Sequence, residues 1–528
     1  MESKLTSKFI KNQAPALIQK ASIALLLIAN LALGPQTAFA QARPAPAAQL
    51  PSLGDGSSMT TSAERRLGER IAREIYRDPD YVDDPVLVEY VQSIWQPLLT
   101  AARQRGELTD ELDQRFAWEV LMGADRTINA FALPGGYLGL HLGLVGVVTS
   151  PDELASVLGH ELSHVTQRHI SRMMEAQSKA TPWMIGAMIL GVLAASKSPD
   201  AANAMVIGGQ AAAVQNQLNF SRDMEREADR IGYGVMTQAG FDPIGFVSMF
   251  EKLQQASRIG DNGSLPYLRT HPLTTERIAD MQSRQALDAR PVHAPPNALH
   301  AMMAARARVL GNPGVDMLRA WVAEARAVHP TGPALDVRSV GVLYAGALAA
   351  LQQRDIPMAR TLVARLQALT GTDATLARTS RLLAAEIEWG AGNVPAAASL
   401  IDLQAPGRPE LVLGSQVRIR MGQAADATAR LQPWVALYPR DGTAWQLLAS
   451  AYTAQGQTLR AIRAEAEAQV ARLDYAGAMD RFRAAQDFVR KPPPGSGPVD
   501  DIEASIIDTR TRQIQALLKE QALDKEKN

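Results

Sequence analysis

The chain has 528 residues, enough for two or more domains that each bury a hydrophobic core. Lysine plus arginine and aspartate plus glutamate each total 54, and this balance argues against electrostatic capture of nucleic acid or of an anionic membrane. The sequence contains no cysteine, which excludes disulfides and thiolate ligands and leaves histidines and carboxylates for any metal site.

The N-terminus has the order of a secretory signal peptide. Lysines precede an apolar run from Ala21 to Leu33, and small residues then lead to a cleavage site after Ala40. The run is shorter than the roughly 20 residues of a membrane-spanning helix, so we favour cleavage over an N-terminal membrane anchor. We expect residues 1–40 to be a signal peptide, 41–58 to be a flexible leader, and the mature protein to be soluble outside the cytoplasmic membrane.

Helices and short strands are predicted next along the chain. Helical patterns cover about Ala63 to Tyr76 and Pro85 to Arg105, and an apolar, strand-like run extends from Arg115 to Gly123. Asn129 to Leu133 is predicted to be a strand, followed by a Pro-Gly-Gly turn and a second short strand.

The stretch "SVLGHELSHVTQRH" contains two histidines four residues apart on a predicted helix. Ser150 and Pro151 suit the first positions of that helix. His160 and His164 share one helix face, so both imidazoles can bind one ion. Glu161 lies beside them and is suited to take a proton from water rather than to bind the metal. His169 has a poor angle for the same ion and is left out of the ligand set.

An apolar tract rich in alanine, methionine and glycine runs from Pro182 to Val214. Its longest apolar piece, Trp183 to Ala195, is too short to span a membrane. The tract is predicted to form a buried helical hairpin. The alternative is a mobile apolar flap near a cleft, where flexible methionine side chains suit varied partners. Residues 183–195 could also make peripheral contact with a membrane.

A third protein ligand is expected from "NFSRDMEREADRIG", in a helix predicted from about Ser221 to Ala239. Glu225 can bind the metal while Asp229, four residues later, accepts the other N–H of a ligand histidine. Glu227 is the competing ligand, because it lies about 200° around the helix from Glu225 and only one of them can face the histidines. The alternative is a solvated, charged helix face.

From about Pro295 the sequence consists of alanine- and leucine-rich helices separated by short turns. One segment has the spacing of a tetratricopeptide unit in its residues Trp445, Leu448, Ala449, Tyr452 and Ala461. Such helical hairpins stack into a concave binding surface. A generic helical bundle is the alternative.

"HELSH" followed by "SRDMEREAD" resembles the M48 family of zinc metallopeptidases, over about Ala63 to Arg290. With the signal peptide and the C-terminal repeats, the layout resembles the periplasmic β-barrel assembly-enhancing proteases. The resemblance implies one Zn²⁺ per chain bound by His160, His164 and Glu225. It also implies that Glu161 is the general base and that Asp229 belongs to the site.

The fold class expected from these observations is mainly α. An α+β peptidase domain with a small β-sheet and zincin-like active-site helices would occupy residues 59–293, and an α-helical tetratricopeptide-like repeat domain would occupy 294–528. The resemblance implies a periplasmic endopeptidase whose partners are unfolded or stalled outer-membrane proteins. The repeat domain would bind substrates or the outer-membrane β-barrel assembly machinery. The alternative is a chaperone or assembly scaffold with a latched or silent zinc site.

Three further features fit a peptidase. The strand from Asn129 to Leu133 could pair as an edge strand with an extended substrate. His271, in "RTHPLTTER", could stabilise an oxyanion, or occupy the open zinc position and keep the enzyme latent; a surface histidine that caps a helix is the alternative. Arg277 could assist an oxyanion or form an ordinary salt bridge.

Overall fold

A computed structural model describes residues 59–176, 221–258, 265–284, 296–329 and 336–526, apart from 493, 495–497 and 499. The predicted signal peptide, the leader and the apolar tract from Pro182 to Val214 lie outside the described residues. The predicted fold class is confirmed: the described part of the chain is mainly helical with one small sheet. None of the described helices is both long and apolar enough to cross a membrane.

The N-terminal region contains the sheet and the helices around it. Its helices are α1 (Thr61–Arg77), α2 (Pro85–Gln104), α3 (Asp110–Arg115), α4 (Leu142–Val147), α5 (Pro151–Thr166), α6 (His169–Ala176), α7 (Arg222–Gln238), α8 (Ile244–Arg258), α9 (Pro266–Thr270) and α10 (Thr275–Ser283). Its strands are β1 (Tyr81–Val82), β2 (Glu119–Gly123), β3 (Ala130–Leu133) and β4 (Tyr137–His141).

The four strands of the described sheet lie in the order β1-β2-β4-β3. Strands β2 and β4 are parallel. Within the described residues β3 pairs, antiparallel, with β4 alone, so it lies at the edge of the described sheet as predicted. The strand predicted from Arg115 is wrong in its first half. Arg115 ends α3, and Trp118 has a φ of 52°, which interrupts an extended run until Glu119.

Helix α5 begins as the sequence predicts, with Ser150 accepting a hydrogen bond from Glu153 N and Pro151 in the first turn. It crosses α7 where both helices carry a glycine. A Cβ added at Gly232 would lie 3.0 Å from the backbone of Gly159, so larger residues would push the helices apart. This close crossing brings the histidines of α5 to the acidic face of α7.

The C-terminal region is a series of helices. They are α11 (Ala298–Leu310), α12 (Val315–Ala327), α13 (Val337–Gln352), α14 (Ile356–Thr370), α15 (Ala374–Gly390), α16 (Val394–Leu400), α17 (Arg408–Arg420), α18 (Ala424–Leu437), α19 (Gly442–Ala454), α20 (Thr458–Ala471), α21 (Tyr475–Arg490) and α22 (Asp501–Glu526). The five residues of the predicted tetratricopeptide unit lie in α19 and α20 and are buried together. Such packing fits the predicted helical repeats.

Arginines of the C-terminal helices contact acidic residues at the start of α2. Arg306 of α11 pairs with Asp84 and with Glu386 of α15. Two further arginines each bridge an acidic residue at the start of α2 and one in the C-terminal region: Arg378 pairs with Glu89 and Glu410, and Arg408 pairs with Asp83 and Asp441. These ion pairs join the two regions through charge-assisted hydrogen bonds.

Candidate metal centre

Four buried side chains converge where α5 crosses α7. His160 and His164 come from α5, Glu225 from α7, and His271 from the loop after α9. One ligand atom from each lies within 4.8 Å of the others, and none of the four side chains is more than 2% exposed. Burial of so many ionisable groups is expected where they bind a cation.

The spacing of these atoms fits a divalent metal ion. His160 Nε2 lies 3.0 Å from His164 Nε2 and 3.5 Å from Glu225 Oε2, and His164 Nε2 lies 3.5 Å from Glu225 Oε1. A tetrahedral zinc site with bonds near 2.05 Å has ligand atoms about 3.3 Å apart. The Nε2 atoms of His160 and His164, 3.0 Å apart, are also arranged as expected for two ligands of one ion. The residues present therefore fit a metal site of the two-histidine, one-glutamate type.

His271 lies in the position that a fourth ligand would take. Its Nδ1 is 2.9 Å from Glu225 Oε1 and 3.4 Å from His160 Nε2. The ring of Tyr267 packs against it with centroids 4.7 Å apart. His271 is 1% exposed and the next helix is capped by Thr274, so the alternative of a helix-capping surface histidine is wrong.

Glu161 is a fully buried carboxylate beside this cluster. Neither of its oxygens makes a hydrogen bond within the described part of the chain, although Oε1 lies 3.5 Å from His271 Nε2. Buried carboxylates are normally hydrogen-bonded. The sequence prediction that Glu161 serves as a base rather than as a ligand therefore stays a prediction, and the geometry leaves both oxygens available for it.

Asp229 and Arg277 contact the clustered ligands His160 and Glu225 without being ligands themselves. Asp229 Oδ1 lies 2.9 Å from His160 Nδ1, and Arg277 makes a bidentate contact with the same carboxylate. Arg277 also lies 2.7 Å from Glu225 Oε2. Its guanidinium is thus held between two carboxylates, which is the salt-bridge alternative of the sequence analysis rather than an oxyanion role.

Charges in the cluster shift its pKa values in opposite directions. Burial lowers the pKa of His160, but hydrogen bonds to Asp229 and Glu225 outweigh it and raise this pKa to about 10. Burial and the nearby charge of His160 hold the pKa of His164 well below its usual value. Without a metal, His160 is therefore protonated and His164 is neutral. Binding of a cation requires release of the proton of His160.

His169 and Glu227 lie beside the ligand cluster but are not part of it. His169 is not among the four clustered ligands, yet its Nδ1 lies 2.8 Å from His164 Nδ1. Glu227 contacts His169 and lies away from the ligand atoms, so Glu225 is the glutamate that faces His160 and His164. Arg168 has a φ of 52° and turns the chain between α5 and α6, which brings His169 beside His164.

Comparisons with known proteins match this chain to a peptidase family. Residues 89–285 match the family model of peptidase family M48. The beta-barrel assembly-enhancing protease of Escherichia coli strain K12 is 30% identical over 479 residues, which cover 87% of this chain and 91% of that protein. A Vibrio cholerae protein provisionally given that name is 37% identical over 238 residues, 45% of this chain and 47% of that protein.

A relative that matches a shorter part of the chain is the mitochondrial metalloendopeptidase OMA1 of Arabidopsis thaliana. It is 36% identical over 161 residues, which cover 30% of each chain.

Proposed function

The chain belongs to peptidase family M48, whose members are metal-dependent, and we propose that it is a zinc endopeptidase of the periplasm. The observation that carries the proposal is the buried cluster of His160, His164 and Glu225 beside the unsatisfied carboxylate of Glu161. This donor set suits one Zn²⁺ per chain. When bound, zinc supplies Lewis acidity for the activation of water and for polarisation of the scissile carbonyl.

Glu161 is proposed as the general base. Its carboxylate accepts a proton from the attacking water and delivers it to the departing amine nitrogen. Support comes from its complete burial and from the absence of hydrogen-bond partners in the described residues, which leaves the lone pairs of both oxygens available for the proton. Asp229 and Arg277 hold His160 and Glu225 in place during these steps.

Strand β3 is proposed as the docking edge for the substrate. Its outer side faces no other strand of the described sheet, and it packs against α5, which carries the catalytic motif. An extended peptide can therefore add to the sheet and pass the metal centre. Recognition of the backbone suits a substrate that is unfolded locally.

His271 is proposed to latch the resting enzyme. The position of its Nδ1, 2.9 Å from Glu225 Oε1 and 3.4 Å from His160 Nε2, supports occupation of the fourth ligand site, which catalysis needs for water. Its alternative role is to stabilise the oxyanion after the loop moves. The latch predicts that His271→Ala raises basal cleavage, whereas the oxyanion role predicts a loss of about 100-fold.

The relatives named for β-barrel assembly support the proposed substrates, which are unfolded or stalled outer-membrane proteins. We propose residues 59–293 as the peptidase domain and 294–528 as the repeat domain that binds substrates or the assembly machinery. Export by the signal peptide, with cleavage after Ala40, would place the protein in the periplasm. Peripheral membrane contact through residues 183–195 remains part of this proposal.

The experiment is a cleavage time course on an unfolded outer-membrane protein with wild type, Glu161→Gln and His271→Ala, after zinc content is shown to be equal. Cleavage by wild type or His271→Ala and none by Glu161→Gln would support the peptidase. Cleavage by Glu161→Gln at the rate of the active enzyme would contradict the proposed base.

The rival function is an assembly scaffold with a latched or silent zinc site, favoured by the position of His271 in the cluster. Complementation of a strain that lacks the gene separates the two functions. Rescue by Glu161→Gln as complete as by wild type would favour the scaffold, and failure of that variant at equal abundance would favour the peptidase.

A further inference from the structure

A row of polar contacts leads from His164, one of the clustered ligands, to the protein surface. His164 Nδ1 lies 2.8 Å from His169 Nδ1, and His169 Nε2 lies 3.1 Å from Glu227 Oε2. Arg172 Nη1 lies 2.8 Å from the same oxygen of Glu227. His169 is 0% exposed, whereas the Glu227 side chain is 28% exposed, so the row ends at solvent.

The protons of this row can be assigned from chemistry. Two nitrogens 2.8 Å apart need one N–H and one lone pair. His164 Nε2 belongs to the ligand cluster and must present a lone pair to a metal, so neutral His164 carries its proton on Nδ1. His169 Nδ1 then accepts that proton's hydrogen bond. The remaining proton of His169 lies on Nε2 and is donated to Glu227.

The backbone holds His169 in this position. Arg168 adopts the left-handed conformation that ends the turn between α5 and α6, and its side chain pairs with buried Glu64 of α1 at 3.0 Å. A non-glycine residue with positive φ is strained and persists where its surroundings fix it. The chain therefore departs from a continuous helix at the point that places His169 beside His164.

We propose that His169 and Glu227 are positioning residues of the metal centre, fixing the tautomer of His164 and increasing its basicity toward the metal. The inference rests on the proposed function, because it needs a metal at His164. Neither residue is one of the clustered ligands. A ligand histidine that donates its second N–H to an acceptor binds metal more tightly, and loss of such an acceptor typically lowers affinity 10- to 100-fold.

The distinguishing variants are His169→Leu and His169→Asn. Leucine fills the space but offers no acceptor, so the buried Nδ1–H of His164 loses its partner in the row. The side-chain oxygen of asparagine occupies the place of the histidine Nδ1 and can accept the same hydrogen bond. We expect zinc affinity to fall about 10- to 100-fold in His169→Leu and by less than about 10-fold in His169→Asn.

Two further variants separate this role from packing. Met173→Leu changes a buried side chain on the same helix outside the row and should leave zinc affinity unchanged. Glu227→Ala removes the carboxylate at a partly exposed position, so folding is preserved, and should lower affinity about 3- to 10-fold. This second variant decides the matter if His169→Leu does not fold.

The measurement is the zinc dissociation constant of the full-length, metal-free protein, obtained by competition with a chromophoric chelator, together with the visible absorption of the cobalt-substituted protein. Graded loss from His169→Asn to His169→Leu, with altered cobalt bands in the latter, is the expected result. Equal affinity of wild type, His169→Leu and Glu227→Ala would overturn the inference, as would equal losses in the leucine and asparagine variants. Failure of wild type to bind zinc would instead overturn the proposed function.

Discussion

Glu161 and Arg306 are both buried, ionisable side chains, and they lie in two regions of the molecule. They differ in the number of hydrogen bonds that their surroundings provide. The Arg306 guanidinium, 4% exposed, donates to Asp84, Glu386 and the hydroxyl of Tyr344. Glu161, 0% exposed, has no hydrogen bond to either oxygen within the described residues. Arg306 joins the start of α2 to the C-terminal helices, whereas Glu161 lies beside the cluster of His160, His164, Glu225 and His271.

The difference separates a structural use of buried charge from a chemical one. A buried group without a hydrogen bond destabilises the folded protein by about 1–3 kcal/mol, so such groups persist where another requirement holds them. A fully satisfied arginine between two carboxylates fixes the relative position of the elements that carry them. Variants at the two regions should therefore change stability with opposite signs.

The largest expected effect is at Arg306. Arg306→Met leaves Asp84 and Glu386 facing each other without their cation, and we expect the free energy of unfolding to fall by about 3 kcal/mol or more. Urea unfolding measures this change. Arg103→Met is the control, because Arg103 pairs with Asp113 at the surface and should cost under about 1 kcal/mol. Equal effects of the two variants would contradict the structural role of the buried pair.

The next effect concerns His300, whose ring lies between Tyr90 and the carbonyl of Val148. Burial lowers its pKa to about 4. Between pH 6.5 and about pH 4, His300 is protonated in the unfolded chain but stays neutral in the folded protein. The stability from neutral His300 is therefore complete above pH 6.5 and is lost as the pH falls toward 4, by at most about 3 kcal/mol.

His300→Gln removes this titration. The drop in unfolding free energy between pH 7 and about pH 4.5 should be smaller in the variant by about 2–3 kcal/mol, since the other groups cancel in the comparison. Parallel stability curves for wild type and His300→Gln would show that His300 titrates alike in the folded and unfolded chains.

A smaller effect is expected at Asp229. Asp229→Asn keeps an acceptor near His160 Nδ1 but removes the charge that Arg277 binds, so zinc affinity should fall about 10- to 100-fold, or about 1.4–2.7 kcal/mol. Chelator competition on the purified protein measures it. Asp280→Asn, in a surface pair with Arg284, is the control and should bind zinc like wild type. An unchanged affinity in Asp229→Asn would remove that residue from the site.

The parts of the fold predicted best from sequence are those set by local chemistry. The start of α5 follows from Ser150 and Pro151, whose cap and fixed φ act within one turn. The convergence of His160 and His164 on α5 follows from helical spacing, because side chains four residues apart share a face. The existence of β3 follows from an apolar run before a Pro-Gly-Gly turn.

Features that depend on tertiary context were beyond reach. The crossing of Gly159 and Gly232 joins residues far apart in the chain, and no local pattern marks it. The left-handed conformation of Arg168 separates α5 from α6 and brings His169 Nδ1 to 2.8 Å from His164 Nδ1, a contact that helical spacing does not predict. Likewise, the strand predicted from Arg115 begins only at Glu119, because Trp118 also adopts a positive φ. Each of these backbone conformations is fixed by packing and not by propensity.

The smallest change, and the sharpest test of the comparison, is the stability of metal-free Glu161→Gln. Loss of a buried carboxylate that lacks hydrogen bonds should leave the free energy of unfolding unchanged or raise it by about 1 kcal/mol, while cleavage falls at least 100-fold. Glu153→Gln is the matched control: Glu153 lies on the same helix and is equally buried, but contacts Lys252 at 2.6 Å and Thr149 N at 2.7 Å. That variant should be destabilised. Destabilisation of both variants would mean that the Glu161 carboxylate is as fully satisfied as that of Glu153, and the physical distinction between the two kinds of buried charge would fail.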